Sequence, residues 1–302
     1  MITRVGSVGL RVVDLEESVA FAKNVLGLWE VERTQGTAYL SCNQRHHELV
    51  LIEGPEVGID HTALQVDDAA TLDQARARIV AAGFELLTNR AAEAGTAGSF
   101  RFVGPDGHVF EMFHGMAHDT QLTYAHIGVR PRKFAHVTLK TPDLDAMESF
   151  LVDTLGMGLS DSVNAEGIGR VMAWYHCNND HHGIGVVLGD PCLHHYAFEL
   201  EGWSSLGALA DQLLVQGHTF LAGPGRHGAG NNLFTYFADP SGAVVEYMAD
   251  IDTIDDESGW KPGVWAAEDP ATFNKWGPGM PLDFPDYAHL YAGTPIKVAP
   301  LS

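Results

Sequence analysis

Basic residues are scarce in this chain of 302 residues. Lys and Arg together number 18, against 39 Asp and Glu, which gives a formal net charge of −21. Proteins that bind nucleic acid present basic patches, and segments that bind anionic lipid are also basic. The composition therefore argues against both kinds of partner and favours a soluble, self-repelling surface.

Cysteine and long apolar runs are scarce too. The three cysteines, Cys42, Cys177 and Cys192, are an odd number without the close spacing of a metal site, so we expect reduced thiols. No stretch of the sequence approaches the roughly 18 consecutive apolar residues that a membrane span needs. The first residues alternate in polarity and lack the apolar run of a signal peptide. These absences favour a cytoplasmic protein.

The sequence does contain an internal repeat. Five segments of the first half match five segments of the second half in the same order, at offsets between 129 and 135. The matched pairs are SVGLRVVD (7–14) with HVTLKTPD (136–143), LEESVAFAKNVLGL (15–28) with LDAMESFLVDTLGM (144–157), CNQRHHELVLIEG (42–54) with CNNDHHGIGVVLG (177–189), HTALQV (61–66) with HYAFEL (195–200), and FVGPDGHVFEMF (102–113) with FADPSGAVVEYM (237–248). Collinear matches of this kind indicate a duplicated domain.

Within each copy the apolar period switches from 2 to 3.6 and back, which is typical of strands that alternate with helices. Pro142 at a first-turn position and Gly156 at the exit predict one helix, and a second is predicted from about Ser204 to Gln216, ending at Gly217. DPSG (239–242) predicts a turn before a last strand. We therefore predict an α+β fold in which each half contains two βαβββ units that bend into one incomplete barrel.

This pattern divides the chain into three parts. Residues 1–125 are predicted to form the first barrel and residues 126–250 the second, with the basic segment RPRK (130–133) at the junction. Residues 251–302 lack clear periodicity and contain three tryptophans among Gly and Pro. Because three tryptophans are costly to leave exposed, we predict an ordered C-terminal tail or lid.

Three residues of the second half have the type and spacing of a metal site. His136, His195 and Glu246 are separated by 59 and 51 residues, and each lies in a strand-like segment. Two imidazoles and one carboxylate on one face of an iron(II) ion leave positions open for oxygen and a chelating substrate. A single His in a strand is more often structural, so the prediction rests on the three residues together.

The first half serves as an internal control for this prediction. The alignment of the copies places Ser7 at the position of His136, His61 at that of His195, and Glu111 at that of Glu246. Because one of the three ligands is missing, we predict that the first barrel holds no metal. One metal ion per chain is expected, in the second half.

Other histidines are weaker candidates. The pairs His46–His47 and His181–His182 both lie in the repeat, so the dipeptide alone reflects inheritance of the fold. His182 gains functional meaning because it lies in the half with the complete triad, where a neutral imidazole can take a proton. His227 lies in the Gly-rich segment GPGRHG (223–228), where a solvent-facing loop residue is the plain alternative.

These residues bring out a family resemblance. The segments GRHG (225–228) and DPSG (239–242), together with Tyr236 and Glu246, resemble the signature of type I extradiol ring-cleavage dioxygenases. These enzymes belong to the vicinal oxygen chelate superfamily, and the spacings His227–Tyr236–Glu246 and His195–His227 look like those of its catechol 2,3-dioxygenase branch. LHHYAFELEGW (193–203) and KPGVW (261–265) extend the likeness over nearly the whole chain.

The resemblance implies a function and roles for the residues. His136, His195 and Glu246 would hold Fe(II), with Mn(II) as the alternative, and the substrates would be a catechol and O2. His182 would act as the acid–base residue, while His227 and Tyr236 would hydrogen-bond the reacting oxygens. The product would be a muconic semialdehyde, formed in the catabolism of aromatic compounds. Members of this branch are commonly tetramers, so a homo-oligomer is expected.

Two departures from the family pattern are visible. Thr235 stands where the signature prefers an aliphatic residue, and the segment between His182 and His195 is about two residues short. The alignment favours His182 over His181 as the acid–base residue without deciding between them. The ring substituent of the substrate is also open: Arg170, Arg226 and Lys261 are the cations that a carboxylated catechol would need, although each is also a plausible surface residue.

The same fold also hosts other activities, which are the alternatives to extradiol cleavage. A glyoxalase-like isomerase or lyase usually has four protein ligands, often shared between two halves. Ser7 removes the equivalent ligand from the first half. A binding module without catalysis would not need His182, His227 and Tyr236 around an open metal. The sequence thus favours extradiol cleavage.

Overall fold

The computed structural model describes residues 1–87, 93–118, 129–255 and 259–277. Two β-sheets dominate, one from each half of the chain, and the predicted α+β fold is confirmed. Among the described residues, none of the helices combines the length and the apolar character that crossing a membrane requires.

The first half contains two consecutive βαβββ units. Its strands β1 to β8 are Ile2–Val12, Trp29–Thr34, Thr37–Ser41, Leu49–Glu53, Gly58–Val66, Glu85–Leu87, Gly98–Val103 and Val109–His114. Helix α1 (Leu15–Asn24) follows β1 and helix α2 (Ala69–Ala81) follows β5, while a 3-10 turn (Pro105–Gly107) precedes β8. The sheet order is β2-β3-β4-β1-β5-β8-β7-β6, so the two units join through antiparallel β1 and β5 and the barrel stays open.

The second half repeats this plan. Its strands β9 to β16 are Lys133–Thr141, Gly158–Ala165, Gly169–His176, Ile184–Leu188, Cys192–Glu199, Ala222–Arg226, Leu233–Ala238 and Val244–Ala249. Helix α3 (Leu144–Ser149) continues as a π-helical turn (Phe150–Thr154), and α4 spans Trp203–Val215. The sheet order is β14-β15-β16-β13-β9-β12-β11-β10-β17, in which the last strand comes from the tail.

Helix boundaries follow from side-chain capping. Asp14 accepts a hydrogen bond from the Glu17 amide at 2.9 Å, and Asp143 accepts one from the Ala146 amide at 3.0 Å, so equivalent aspartates start the first helix of each half. Pro142 therefore lies one residue before the cap, and its predicted place in the first turn is wrong because the Asp143 side chain caps the helix. Gly156 ends the segment with a φ of 78°, the left-handed conformation that favours glycine.

The register of the two sheets fixes which residues are equivalent. In the first half Ala63 pairs with Ser7 on β1 and with Glu111 on β8. In the second half Ala197 pairs with His136 on β9 and with Glu246 on β16. The register therefore makes Ser7 equivalent to His136 and Glu111 equivalent to Glu246, as the sequence repeat predicts.

One apolar cluster runs through both halves. Phe110 of β8 contacts Phe150 of the π-helical turn with ring centroids 5.0 Å apart, and the Tyr247 hydroxyl donates to the Leu26 carbonyl at 2.5 Å. Burial of such aromatic surface is the main favourable term in folding. The two barrels therefore pack against each other through a shared core.

The described part of the tail joins the second sheet. Strand β17 (Gly263–Ala266) pairs in parallel with β10, and a short helix α5 (Pro270–Phe273) follows. The indole of Trp260 donates to the Ser160 carbonyl and that of Trp265 to Asp161, at 2.9 and 2.8 Å. Residues 278–302 of the predicted tail, and much of the predicted boundary around residue 125, lie outside the described residues.

Candidate metal centre

His136, His195 and Glu246 meet on the inner face of the second barrel. The two Nε2 atoms lie 3.0 Å apart, and the Oε2 atom of Glu246 lies 3.0 Å from His136 and 3.1 Å from His195. All three side chains are buried. They come from the neighbouring strands β9, β13 and β16, whose register brings them to one point.

These distances fit a metal ion. With bonds of about 2.1 Å, three ligands on one face of an octahedral ion lie about 3.0 Å from one another. The three ligand atoms form such an equilateral face, and two imidazoles with one carboxylate are the donor set of non-haem iron(II) oxygenases. The other side of this face opens into a cavity of about 480 Å³, which leaves room for substrates.

The electrostatics of the triad also suit a cation. Burial works to raise the pKa of Glu246, but the neighbouring His136, His195 and His227 outweigh it and hold the pKa well below its usual range. Burial lowers the pKa of His195 to about 4. An ionised carboxylate and a neutral imidazole are the forms that bind a metal. Asn232 donates to Oε1 of Glu246 at 3.1 Å and fixes the carboxylate.

Sequence reasoning missed a residue behind the triad, His194. A β-bulge between Leu193 and His195 turns both His194 and His195 toward the cavity, and their Nδ1 atoms lie 2.7 Å apart. Since Nε2 of His195 faces Glu246, we assign the Nδ1 proton to His195, which donates it to His194. Such an outer partner fixes the tautomer of a ligating histidine. The sequence contains one signal for this residue: the repeat aligns the dipeptide His194–His195 with Asp60–His61, so His194 stands where the first half has an aspartate.

His182 lies beside the triad and His181 does not. The His182 ring centroid is 4.5 Å from that of His136, and His182 lines the cavity. The His181 ring points the other way, with Nε2 3.3 Å from Asp161 and Nδ1 3.0 Å from Nδ1 of His182. Burial, aided by His136 and His181, holds the pKa of His182 well below its usual range, so this imidazole is neutral at pH 7.

His227 and Tyr236 form a hydrogen-bonded pair on the opposite wall. Nδ1 of His227 donates to the Phe273 carbonyl of the tail at 2.7 Å, so Nε2 is left as the acceptor. The Tyr236 hydroxyl lies 3.1 Å from that Nε2. Burial and the Glu246 charge raise the pKa of Tyr236 well above its usual range, which keeps its proton in place. The alternative of a solvent-facing loop histidine is wrong for His227, because its ring stacks on Phe234 with centroids 3.9 Å apart.

The departure at Thr235 is accommodated by the fold. The side chain is buried, and its hydroxyl donates to the Tyr247 carbonyl at 3.2 Å. A buried hydroxyl with a partner carries little penalty. This position therefore affects packing between β15 and β16 and is not among the residues that line the cavity.

The equivalent place in the first half holds an arginine. Arg101 pairs with Glu111 across β7 and β8, as Tyr236 pairs with Glu246 across β15 and β16. Its guanidinium donates to Glu111 at 2.5 Å and to Asp60 at 2.9 Å, forms an ion pair with Glu93, and lies 3.3 Å from Nε2 of His61. A positive side chain thus lies among three residues that have metal-ligand character, His61, Glu93 and Glu111.

A duplicated βαβββ sheet with such a triad on its inner face defines a class of metal-dependent proteins. The chain belongs to the Glyoxalase/Bleomycin resistance protein/Dioxygenase superfamily, whose model matches residues 4–112 and 133–247. The two matched ranges correspond to the two copies of the repeat. The predicted family resemblance is confirmed.

Individual relatives lie on the dioxygenase side of this family. The chain is 37% identical to metapyrocatechase 2 of Cupriavidus necator over 52% of this chain. The match spans about half (48%) of that relative. It is 27% identical to the manganese-dependent 2,3-dihydroxybiphenyl 1,2-dioxygenase of Geobacillus genomosp. 3, over 93% of this chain and 97% of the relative.

Solved structures show the same fold over nearly the whole chain. A Mn(II)-bound glyoxalase from Novosphingobium aromaticivorans is 32% identical with a TM-score of 0.86, covering 97% of this chain and 96% of its own. Homoprotocatechuate 2,3-dioxygenase from Arthrobacter globiformis is 26% identical with a TM-score of 0.87, covering 96% and 92%. Both manganese and dioxygenase chemistry therefore occur among the relatives.

Proposed function

We propose that this protein is an extradiol dioxygenase, which cleaves a catechol-type ring beside its two hydroxyls with O2. The observation that carries the proposal is the open face of the His136–His195–Glu246 triad, which looks into a cavity lined by His182, His227 and Tyr236. The dioxygenase relatives support the same reaction. Both oxygen atoms would enter the product, a muconic semialdehyde, in aromatic catabolism.

The triad would hold Fe(II), with Mn(II) as the alternative that two relatives favour. When bound, the metal would lower the pKa of a catechol hydroxyl and bring the diol and O2 together. His195 and Glu246 are already in their ligating protonation states, so little proton release is needed at neutral pH. Asn232 and His194 would hold the carboxylate and one imidazole in place.

His182 is proposed to move the proton. Its low pKa and its contact with His136 make it a neutral base beside the position of the diol. It would accept a proton from a catechol hydroxyl and return it to an oxygen of the opening ring. A positioned acid–base group of this kind contributes about 10²–10⁴-fold to a rate.

Tyr236 and His227 are proposed to hold the reacting oxygens. Before substrate arrives, the Tyr236 hydroxyl donates its single proton to the acceptor Nε2 of His227, and a substrate oxygen would take over that hydrogen bond. Because the Phe273 carbonyl fixes the His227 ring, only the hydroxyl proton would have to turn when substrate binds.

The decisive experiment is anaerobic reconstitution with Fe(II) or Mn(II), followed by oxygen uptake on catechols. We expect about one metal per chain, one O2 consumed per diol and a yellow product. Tightly bound zinc with no oxygen uptake on any catechol would contradict the proposal.

A glyoxalase-like isomerisation is the second candidate, favoured by the 32% identity to the Mn(II)-bound glyoxalase. It would convert a thiohemiacetal of a 2-oxoaldehyde without consuming O2. The three ligands and the absence of a histidine at Ser7 favour the dioxygenase. Assay of both reactions on one metal-loaded preparation separates the candidates.

The organisation of the chain is proposed on the same basis. We assign residues 1–125 to a barrel without metal, 126–250 to the catalytic barrel and 251–302 to a C-terminal tail or lid. A cytoplasmic homo-oligomer, such as a tetramer, remains a prediction. Light scattering of the purified chain tests the subunit number.

A further inference from the structure

One wall of the cavity is apolar. It combines strands β11 and β12 with the loop before β15 and the tail, and its apolar members are Val171, Met172, Trp174, Val187, Leu188, Ala229, Ala267, Pro270 and Phe273. Several of them pack together in a cluster separate from the main core. Trp174 brings this wall close to the reacting groups, since its ring centroid lies 6.1 Å from that of His182.

Among the described residues, the fixed charges that line the cavity are negative. None of these lining residues is Lys or Arg, and beyond the histidines, Tyr236 and Glu246 the ionisable group is Glu268. The Glu268 carboxylate accepts a hydrogen bond from the Glu166 amide at 2.6 Å, and this bond holds its pKa below the usual range. An anionic substituent would therefore meet a carboxylate and no Lys or Arg among the described lining residues, which disfavours its desolvation. Lys140 lies outside this lining, near His194, whose pKa it helps to lower.

The three candidate cations from the sequence are engaged elsewhere. Arg170 forms ion pairs with Asp145 and Glu148 of helix α3. Arg226 donates to the Asn231 carbonyl at 2.6 Å and to Asp250 at 3.2 Å.

Lys261, the third candidate, is exposed and is absent from the lining of the cavity. Each of the three residues therefore has a surface or structural role, which was the alternative to binding a carboxylated catechol.

The apolar wall is held in place by the described part of the tail. Asp161 accepts hydrogen bonds from the Gly263 amide and the Trp265 indole, at 2.6 and 2.8 Å, which fixes β17. The Phe273 carbonyl is bound by His227. A cavity of about 480 Å³ is in the range that takes drug-sized ligands and exceeds what one ring with two hydroxyls fills.

From this wall we infer the substrate class: a catechol that carries an uncharged apolar substituent, alkyl or aryl, in preference to one with a carboxylate side chain. The inference rests on the proposed function for the position of the diol. The substituent would lie against Trp174, Met172 and Leu188, away from the triad, and its burial would supply the preference.

The test compares two ligands of equal shape. Isobutylcatechol and the corresponding dihydroxyphenylacetate have side chains with the same number of non-hydrogen atoms but differ in charge, and both the 3- and the 4-substituted pairs are to be used. Binding to the Mn(II)-loaded protein is measured by calorimetry without O2, and kcat/KM by oxygen uptake. We expect the alkyl compound to bind at least about tenfold more tightly and to give the higher kcat/KM, since each buried methylene adds a severalfold gain.

A charge placed on the wall sharpens the comparison. Leu188 is 39% exposed at the cavity rim, so Leu188→Lys is tolerated there, whereas Leu214→Lys on helix α4 adds the same charge far from the cavity, at a residue that is 74% exposed. We expect Leu188→Lys to shift the binding ratio about three- to fivefold toward the carboxylate, the range of a partly exposed ion pair. Leu214→Lys is expected to leave the ratio unchanged.

The outcomes separate this inference from the proposed function. Tighter binding of the alkyl compound without oxygen uptake supports the apolar site and contradicts the dioxygenase. Equal or tighter binding of the carboxylate by the unmodified protein overturns the inference, even if every catechol is cleaved. An equal shift in both lysine variants would also overturn it, because the effect would then be one of total charge.

Discussion

The two barrels of this protein share eight strands, a β-bulge at the same position and a buried glutamate. They differ in the side chains that surround the negative charge of that glutamate. In the first barrel Arg101 donates to Glu111 and Asp60, and Arg11 adds an ion pair to Asp60 at 2.6 Å. In the second barrel the equivalent strand position is Tyr236, a neutral donor, and two histidines approach Glu246. One barrel carries its cation in the chain, while we propose that the other takes a metal ion from solution.

The same fold is compatible with either kind of positive partner for the buried glutamate. A buried carboxylate needs a positive partner, and either a metal ion or a guanidinium can supply it. Arg101 is buried, and although burial works to lower its pKa, Glu111, Glu93 and Asp60 raise it, so its charge is permanent. The first barrel is therefore complete as a structural unit without a ligand.

The largest difference is expected at the two glutamates. Glu246→Gln removes a ligand and should lower metal affinity by more than the 10–100-fold that loss of an outer partner costs, with loss of turnover. Glu111→Gln should leave the metal content at about one per chain. Metal analysis after dialysis measures both. Loss of metal from Glu111→Gln would break the comparison.

His182 and His47 occupy equivalent positions in the sequence repeat, so the same substitution can be made in each barrel and the results compared. His182→Asn should lower kcat by about 10²–10⁴-fold while metal is retained, because a positioned base is lost. His47→Asn should leave kcat unchanged, since His47 lies near Glu93 and His61, which surround Arg101 in the first barrel. Steady-state oxygen uptake with metal analysis of each variant gives the answer. Unchanged turnover of His182→Asn would remove this residue from the reaction.

Arg101→Met should destabilise the protein by about 3–5 kcal/mol, because it leaves buried carboxylates without their counter-ion. Tyr236→Phe at the matched position removes a hydrogen bond and should cost only about 1 kcal/mol. Thermal or urea unfolding of the metal-free variants provides the measurement. Equal free energies of unfolding for the two variants would mean that the Arg101 guanidinium does not supply the positive charge that the buried carboxylates of the first barrel need.

The smallest expected effect concerns the residues behind the two histidines. His194→Ala should weaken metal binding by about 10–100-fold, because His195 loses the acceptor for its Nδ1 proton. His194→Asp installs the residue that the first barrel has at this position, where Asp60 accepts from His61 at 2.9 Å, and should keep most of the affinity. Metal titration of both variants ranks them. Equal losses of metal affinity in the two variants would show that a hydrogen-bond acceptor for His195 does not support metal binding.

Much of the fold and the triad follows from the sequence, because period and repetition are local signals. Strand alternation gives His136, His195 and Glu246 their common face, and the repeat identifies Ser7 as the missing ligand. The role of Arg101 was not predicted, since it depends on side chains from several separate segments. His194 was missed because a bulge breaks the alternation that the prediction relied on.

The tail shows another limit of sequence patterns. Strand β17 has four residues and gains its place by pairing with β10, so no periodicity marks it. The sequence predicted order there from three tryptophans, two of which donate their indole N–H to β10. Which residues of the tail reach the cavity depended on this register and needed the structure.

The hydrogen bond from His227 to the Phe273 carbonyl links two parts of the chain. His227 lies in the second barrel, but the carbonyl that sets its proton belongs to the tail, outside both copies of the repeat. The position proposed for the Tyr236 hydroxyl is therefore set jointly by the barrel and by an element that the repeat does not contain.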